Sequence, residues 1–308
     1  MYYGQNEDFL KEEIRDGWKI SAETKKVWAV QFDLIRVFKG ICEKYNLRYY
    51  AIFGTLLGVV RHNGYIPWDD DIDFGMPRED YDKFISVCTK ELIYPYFLQT
   101  TLSDIESYEI HSSLRNSETT GNCDFNMRKR CNNGIAIDIV PIDGCSPNYF
   151  LFYWMRKKIK FMSTLCNTYV NEVNRSSAAN ILRKVLRRFC KKFPYKKIYI
   201  RNEKKLRRIK FKDSSKVSTV LIADNTAREL YWDREDFDDI IMSKFENIEL
   251  PIPKGFDRNL RTIYGDYMKF PPLGERGDKH HIIYAPDVPY KEYCNNHYGV
   301  NYELDLED

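Results

Sequence analysis

A chain of 308 residues, 43% hydrophobic and 15% aromatic, has enough apolar material for one large core or two, which excludes a disordered or fibrous polymer. Its net charge of +3 hides a division: residues 156–212 hold twenty Lys and Arg against Glu172 and Glu203, a net of +18, so the rest of the chain carries −15. Eight cysteines without a CxxC pair argue against zinc-ribbon and thioredoxin-like sites, and no run of about 18 uninterrupted apolar residues offers a membrane span.

The N-terminal MYYGQNEDFLKEEIRDGWK places acids where a signal peptide needs an apolar core, so the expectation is a cytoplasmic protein with reduced thiols. Apolar residues at three- and four-residue spacings predict a helix over 21–46, with Ser21 as its cap. RYYAIFG (48–54) reads as a strand ending at Gly54, TLLGVVRH (55–62) as a short helix, NGYIPW as a turn and DIDFGM (71–76) as a second strand. A helix over 78–92 follows, then strands at 96–101, 108–115 and 134–144. The pattern from 149 to 212 is helical and basic. Strands return at 216–223 and 245–253, and a helix over 256–264 ends at Gly265. The expected class is α/β in the α+β sense, a mixed sheet with flanking helices. Its parts are 1–147, a basic helical insertion 148–215, and 216–308 completing the first part.

The segment IPWDDDIDFGM (66–76) sets Asp69, Asp70, Asp71 and Asp73 among Ile66, Trp68, Ile72, Phe74 and Met76. Strand alternation would put Asp69, Asp71 and Asp73 on one face and Asp70 on the other. Carboxylates ~6–7 Å apart on a strand repel by roughly 2–3 kcal/mol per pair at a protein-like dielectric. A half-buried face holding them calls for a proton or a cation, and a hard divalent ion leaves positions open for phosphate oxygens. An EF-hand loop fails, because its sixth and twelfth positions hold Phe74 and Asp80. Gly54 and Thr55, between a strand and a helix, aim backbone N–H groups at an anion. Asp138 in AIDIV supplies a third carboxylate, with Asp143 after it.

FGTLLGVVRHNGYIPWDDDIDFGMPREDYDKF resembles the signature of the LicD family, phosphodiester-forming transferases similar in their core to nucleotidyltransferases. IDIVPIDG (137–144) and LRTIYGDYMKFPP (260–272) match further blocks of that family. The resemblance implies a nucleotidyltransferase-like core. It also implies transfer of a phosphoryl-alcohol such as phosphocholine from a CDP-activated donor to a hydroxyl of a cell-surface glycan or its lipid-linked precursor, releasing CMP. Asp71, Asp73 and Asp138 would then hold Mg²⁺ or Mn²⁺, with Asp138 also placed to take the acceptor proton. Gly54 and Thr55 would meet the donor phosphates. Arg61 and His62 would pair with phosphate or with the surplus aspartates, and Trp68 would stack on a base or cation or simply pack. Arg276 and His280 are further candidates for donor binding. The basic stretch 156–212 reads either as solvated helix faces or as a surface for an anionic membrane on its inner side; no nucleic-acid motif accompanies it. Competing readings are a nucleotidyltransferase acting on a small acceptor, a metal-dependent glycosyltransferase and a non-catalytic membrane scaffold.

Overall fold

The computed structural model describes residues 1–302 apart from 105, 108–110, 171–194, 220–227 and 278–280. A ribbon of β1 (Glu13–Arg15) and β2 (Trp18–Ile20) leads into α1 (Ala22–Tyr45). Ser21 caps this helix, its Oγ accepting the Thr24 N–H at 3.1 Å. Next come β3 (Tyr50–Ala51), α2 (Phe53–His62), β4 (Asp73–Pro77), α3 (Arg78–Glu91), β5 (Tyr96–Gln99) and β6 (Ser112–Asn116). They are followed by β7 (Thr120–Cys123), α4 (Asp124–Met127), β8 (Ile135–Cys145), α5 (Tyr149–Val170) and α6 (Tyr195–Leu206). The chain closes with β9 (Lys216–Ser218), β10 (Trp232–Asp233), β11 (Ile240–Phe245), β12 (Ile248–Pro253), α7 (Phe256–Tyr264), β13 (Ile282–Ala285) and α8 (Tyr290–Tyr298).

The eleven residues of β8 are the spine of a seven-stranded mixed sheet. β4 runs parallel to β8, whose other neighbours, β6 and then β9, are antiparallel to it. β3 extends the sheet beyond β4, β5 beyond β6 and β10 beyond β9. The largest core lies between this sheet and α1 and α3, where Phe38 stacks on Phe74 at 4.9 Å and meets Phe84 at 5.2 Å. A second core holds Tyr50, Ile52, Val140, Ile142, Trp232 and Phe237.

Several expected boundaries move. The strand expected over 48–54 is reduced to Tyr50–Ala51, and α2 begins at Phe53 rather than at 55. DIDFGM is strand only from Asp73 onward. The segment ahead of it is irregular yet anchored: Tyr65, Ile66 and Ile72 are buried in the main core, and Tyr65 stacks on Trp28 at 4.2 Å. That burial accounts for the apolar company of the aspartates. The strand expected at 108–115 is Ser112–Asn116, with 108–110 outside the described residues, and the one at 216–223 is Lys216–Ser218, with 220–223 likewise outside. The one expected at 245–253 is the second arm of a β11–β12 hairpin.

Candidate active site

The parallel pairing of β4 with β8 sets Asp73 beside Asp138 in register. Asp73 is the first residue of its strand, and its amide donates to Thr55 Oγ1 at 2.8 Å, tying the start of α2 to the strand. The Asp138 amide donates to the Ile72 carbonyl at 2.8 Å and holds the acidic loop against β8. The turn into α2 is sharply bent, with Phe53 at φ +50°, an uncommon angle for a bulky residue. Gly54 follows, and its bare backbone lets two acids close in: a Cβ there would stand 2.9 Å from Asp69 Oδ2 and 3.7 Å from Asp71 Oδ1. Asp69 and Asp71 therefore lie over the N-terminal end of α2, where the helix dipole favours negative charge.

The carboxylates differ in their hold on protons. Burial, then the charges of Asp71 and Asp138, pushes Asp73 well above the usual carboxylate range. Burial and the Asp70 charge raise Asp69 to about 6, against a hydrogen bond with Asp71 that lowers it. Burial pushes Asp138 up too, but His111, the Ser113 hydroxyl and Arg115 outweigh it and hold this carboxyl at about 2. His111 Nε2 stands 3.2 Å from Asp138 Oδ2, and Ser113 Oγ donates to Oδ1 at 2.6 Å. A carboxylate held ionised in this way suits a cation ligand better than a proton acceptor.

His111, Ser113 and Arg115 stand at alternate positions around β6 and line one cleft of about 160 Å³ with Asp70, Asp71 and Asp138. Arg115 is 6% exposed, its Nε donating to Gln99 Oε1 at 2.6 Å and its Nη1 to the Gly134 carbonyl at 2.7 Å. The β7–β13 ribbon adds Asn122 and Tyr284 to the wall, and Tyr284 Oη donates to Asp70 Oδ2 at 3.0 Å. Asp70 thus faces the same cleft as Asp71, not the opposite side: the alternation that would separate them begins only at Asp73. Tyr264 ends α7, and burial and then the charges of Asp69, Asp73 and Asp71 raise its hydroxyl above the ordinary tyrosine range.

Arg61, His62, Trp68 and Arg276 meet in a knot at the C-terminal end of α2. Arg61 Nη1 donates to the Tyr267 carbonyl at 2.7 Å and its Nε to His62 Nε2 at 2.9 Å, while His62 Nδ1 is 2.7 Å from Asp16 Oδ2. Arg276 donates to the carbonyls of Pro271 and Asp16, both at 2.9 Å, and lies 4.5 Å over the Trp68 ring. Trp68 is also packed by Trp18, His62 and Phe270. These contacts make Arg61, His62, Trp68 and Arg276 a packing unit, with His62 pairing with an aspartate outside the acidic cluster. His280 lies outside the described residues. Asp143 is structural: Arg78 grips both its oxygens, at 2.6 and 2.8 Å.

A metal fits the chemistry of the donors. The Asp71, Asp73 and Asp138 carboxylates offer only hard oxygen ligands, and the raised proton affinity of Asp73 marks an excess of negative charge that a divalent cation would offset. Among the described residues no three His, Cys, Asp or Glu side chains close into a ready-made metal cage. Mg²⁺ bound through one or two carboxylates, retaining water and substrate oxygens, needs none.

Residues 46–167, which carry Gly54, Thr55 and the three carboxylates, match the family model of the LicD/FKTN/FKRP nucleotidyltransferase domain. Over these residues the chain is similar to the LicD family. The lipopolysaccharide cholinephosphotransferase LicD of Haemophilus influenzae is 27% identical over 260 residues, 82% of this chain and 94% of that protein. Ribitol 5-phosphate transferase FKRP of Homo sapiens is 44% identical over 45 residues, 15% of this chain and 9% of its own length. An uncharacterized protein of Rickettsia typhi is 40% identical over 68 residues, 22% of this chain and 20% of its own. The polar alternation of His111, Ser113 and Arg115 in HSSLRN was the signal for the cleft wall that the motif blocks do not include.

Proposed function

We propose that this phosphotransferase moves a phosphoryl-alcohol unit from a CDP-activated donor to a hydroxyl of a cell-surface glycan or of its lipid-linked precursor, with Mg²⁺ or Mn²⁺ as cofactor. The observation that carries this reading is the pairing of Asp73 with Asp138 on adjacent parallel strands, with Asp71 above the bare backbone of Gly54. The cholinephosphotransferase and the ribitol 5-phosphate transferase among the relatives support the same class of reaction.

In balanced form, the acceptor oxygen bonds to the phosphorus that bears the alcohol. The bond from that phosphorus to the bridging oxygen breaks, CMP leaves with that oxygen, and the hydroxyl proton passes to a base. Asp71, Asp73 and Asp138 would hold the cation, which when bound neutralises the phosphates and the charge developing on the leaving group. Thr55 fixes the start of β4 by accepting the Asp73 amide, and Gly54 lets the acids approach the helix end. His111 and Ser113 orient the Asp138 carboxylate.

The test is product analysis with CDP-choline, CDP-ribitol and CDP-glycerol, an acceptor glycan and Mg²⁺. CMP together with a phosphodiester-linked glycan is expected. Pyrophosphate release from a nucleoside triphosphate with a small acceptor, and no CMP from any CDP-alcohol, would make the protein a nucleotidyltransferase instead.

A further inference from the structure

The first helix of the basic stretch turns an unusual face outward. α5 leaves Phe150 65%, Leu151 59% and Trp154 56% exposed, then exposes Lys157 and Lys158, while Phe152, Arg156 and Ile159 are buried. At about 100° per residue, positions 150, 151, 154, 157 and 158 fall within one sector of roughly 120°, opposite the buried set. Phe150 and Trp154 already pack edge to face at 6.0 Å, so the apolar end of this face is formed before any partner arrives.

We propose that this face of α5, with the cations of α6 beside it, docks on the surface of an anionic lipid bilayer and lies in the headgroup region without crossing it. The inference deepens the proposed function by naming where the enzyme meets a lipid-held acceptor, and it rests on that reading only for this purpose.

Charge complementarity selects the occupant. Among the described residues, none of Lys157, Lys158, Arg201, Lys204, Lys205 and Arg208 has a carboxylate within ion-pair distance. α6 packs against α5 through Phe152, Ile159 and Leu206, which brings the cations of the two helices into one region, and burial, then the charges of Lys158, Arg201 and Arg208, lower the proton affinity of Lys205. Uncompensated cations beside three exposed apolar side chains supply both parts of interfacial binding, attraction to anionic headgroups and insertion below them. Nucleic acid would use the charge and leave Phe150 and Leu151 without a role. Among the described residues no helix is long and apolar enough to cross the membrane, which fits a helix lying on it.

The docking face is tied firmly to the catalytic core. Glu203 of α6 accepts from Arg78 Nη1 at 2.7 Å, and Arg207 grips both oxygens of Asp82 at 2.8 Å. Arg78 opens α3 directly after β4, the strand that begins at Asp73. A bilayer holding α5 would therefore hold the cleft at a fixed height above it.

The test is co-sedimentation of the full chain with phosphatidylcholine vesicles, with and without phosphatidylglycerol, across a salt series. The wild type is expected to bind the anionic vesicles and to be released by salt. The triple variant Phe150→Ser/Leu151→Ser/Trp154→Ser should lose affinity at least about tenfold, and Lys157→Glu/Lys158→Glu should lose it on anionic vesicles, both with unchanged melting temperature. A milder variant, Trp154→Tyr, should lose the blue shift of tryptophan emission on vesicle addition. Wild-type indifference to vesicles, or a folded triple variant that binds as well as wild type, overturns the proposal. So does a preference for duplex DNA, or self-association through this face without lipid binding. CMP release from a soluble donor is measured in parallel. Vesicle binding without CMP release would leave the docking standing and remove the proposed reaction.

Discussion

Asp73 sits under opposed demands. Its amide is locked to Thr55, its strand is fixed beside Asp138, and its half-buried carboxyl feels the charge of Asp71. Folding alone would favour a neutral side chain there, whereas cation binding needs the charge. Asp73→Asn is therefore expected to melt at or above the wild-type temperature in metal-free buffer while losing turnover by about a thousandfold or more, read by calorimetry beside CMP release. Gly54 gives the complementary case. Alanine there drives a methyl to 2.9 Å from Asp69 Oδ2, so Gly54→Ala should lower activity and destabilise the fold by about 1–3 kcal/mol in urea titrations.

At the scale of elements, the sheet is fastened to the basic helices by one buried cation. Arg78, 3% exposed, stands between Asp143 of β8 and Glu203 of α6. Removing it strands the buried Asp143 and leaves Glu203 to Arg207 alone, and Arg78→Leu should cost about 3–5 kcal/mol by chemical denaturation. A second buried acid predicts a pH effect. Asp236, beneath the start of α7, has an Oδ2 without a hydrogen-bond partner, and burial above all raises its pKa from 3.8 to about 6. The unfolded chain releases this proton near 3.8 and the folded chain near 6, so the folded state binds more protons in that window. The Asp236 contribution should fall as pH rises from about 4 to 6, and Asp236→Asn should flatten that part of the melting-temperature profile.

Much of this architecture was legible from periodicity and capping. α1 starts after Ser21 and α7 ends at Gly265 as their spacing and end residues required. AIDIV led to the expectation of a third acid on a later strand, whereas the in-register pairing of Asp138 with Asp73 emerges only from the parallel sheet. The shortening of DIDFGM was not legible, because Ile72 is buried in a loop as fully as a strand residue would be. Nor was the fate of Arg61, His62, Trp68 and Arg276: their knot depends on Asp16, Tyr267 and Phe270, remote in sequence and brought in only by the tertiary fold. The hairpin β1–β2 and the β7–β13 pairing are made of strands of three or four residues, too short to show alternation.

At the scale of the whole molecule, charge is segregated by task. Residues 156–212 hold a net +18, whose described cations include those of α5 and α6, and the surplus of acids elsewhere includes the cleft at the edges of β4, β6 and β8. An acidic cleft alone would repel a diphosphate donor, so the account depends on a cation standing between them. The most direct measurement is CMP release from the CDP-alcohol panel as Mg²⁺ is titrated from a chelated baseline, with wild type and Asp73→Asn side by side. No release is expected without the ion, saturable release by the wild type as Mg²⁺ rises, and at most about a thousandth of that by Asp73→Asn at any concentration. CMP release that persists under chelation, or that Asp73→Asn sustains at the wild-type rate, would contradict the account.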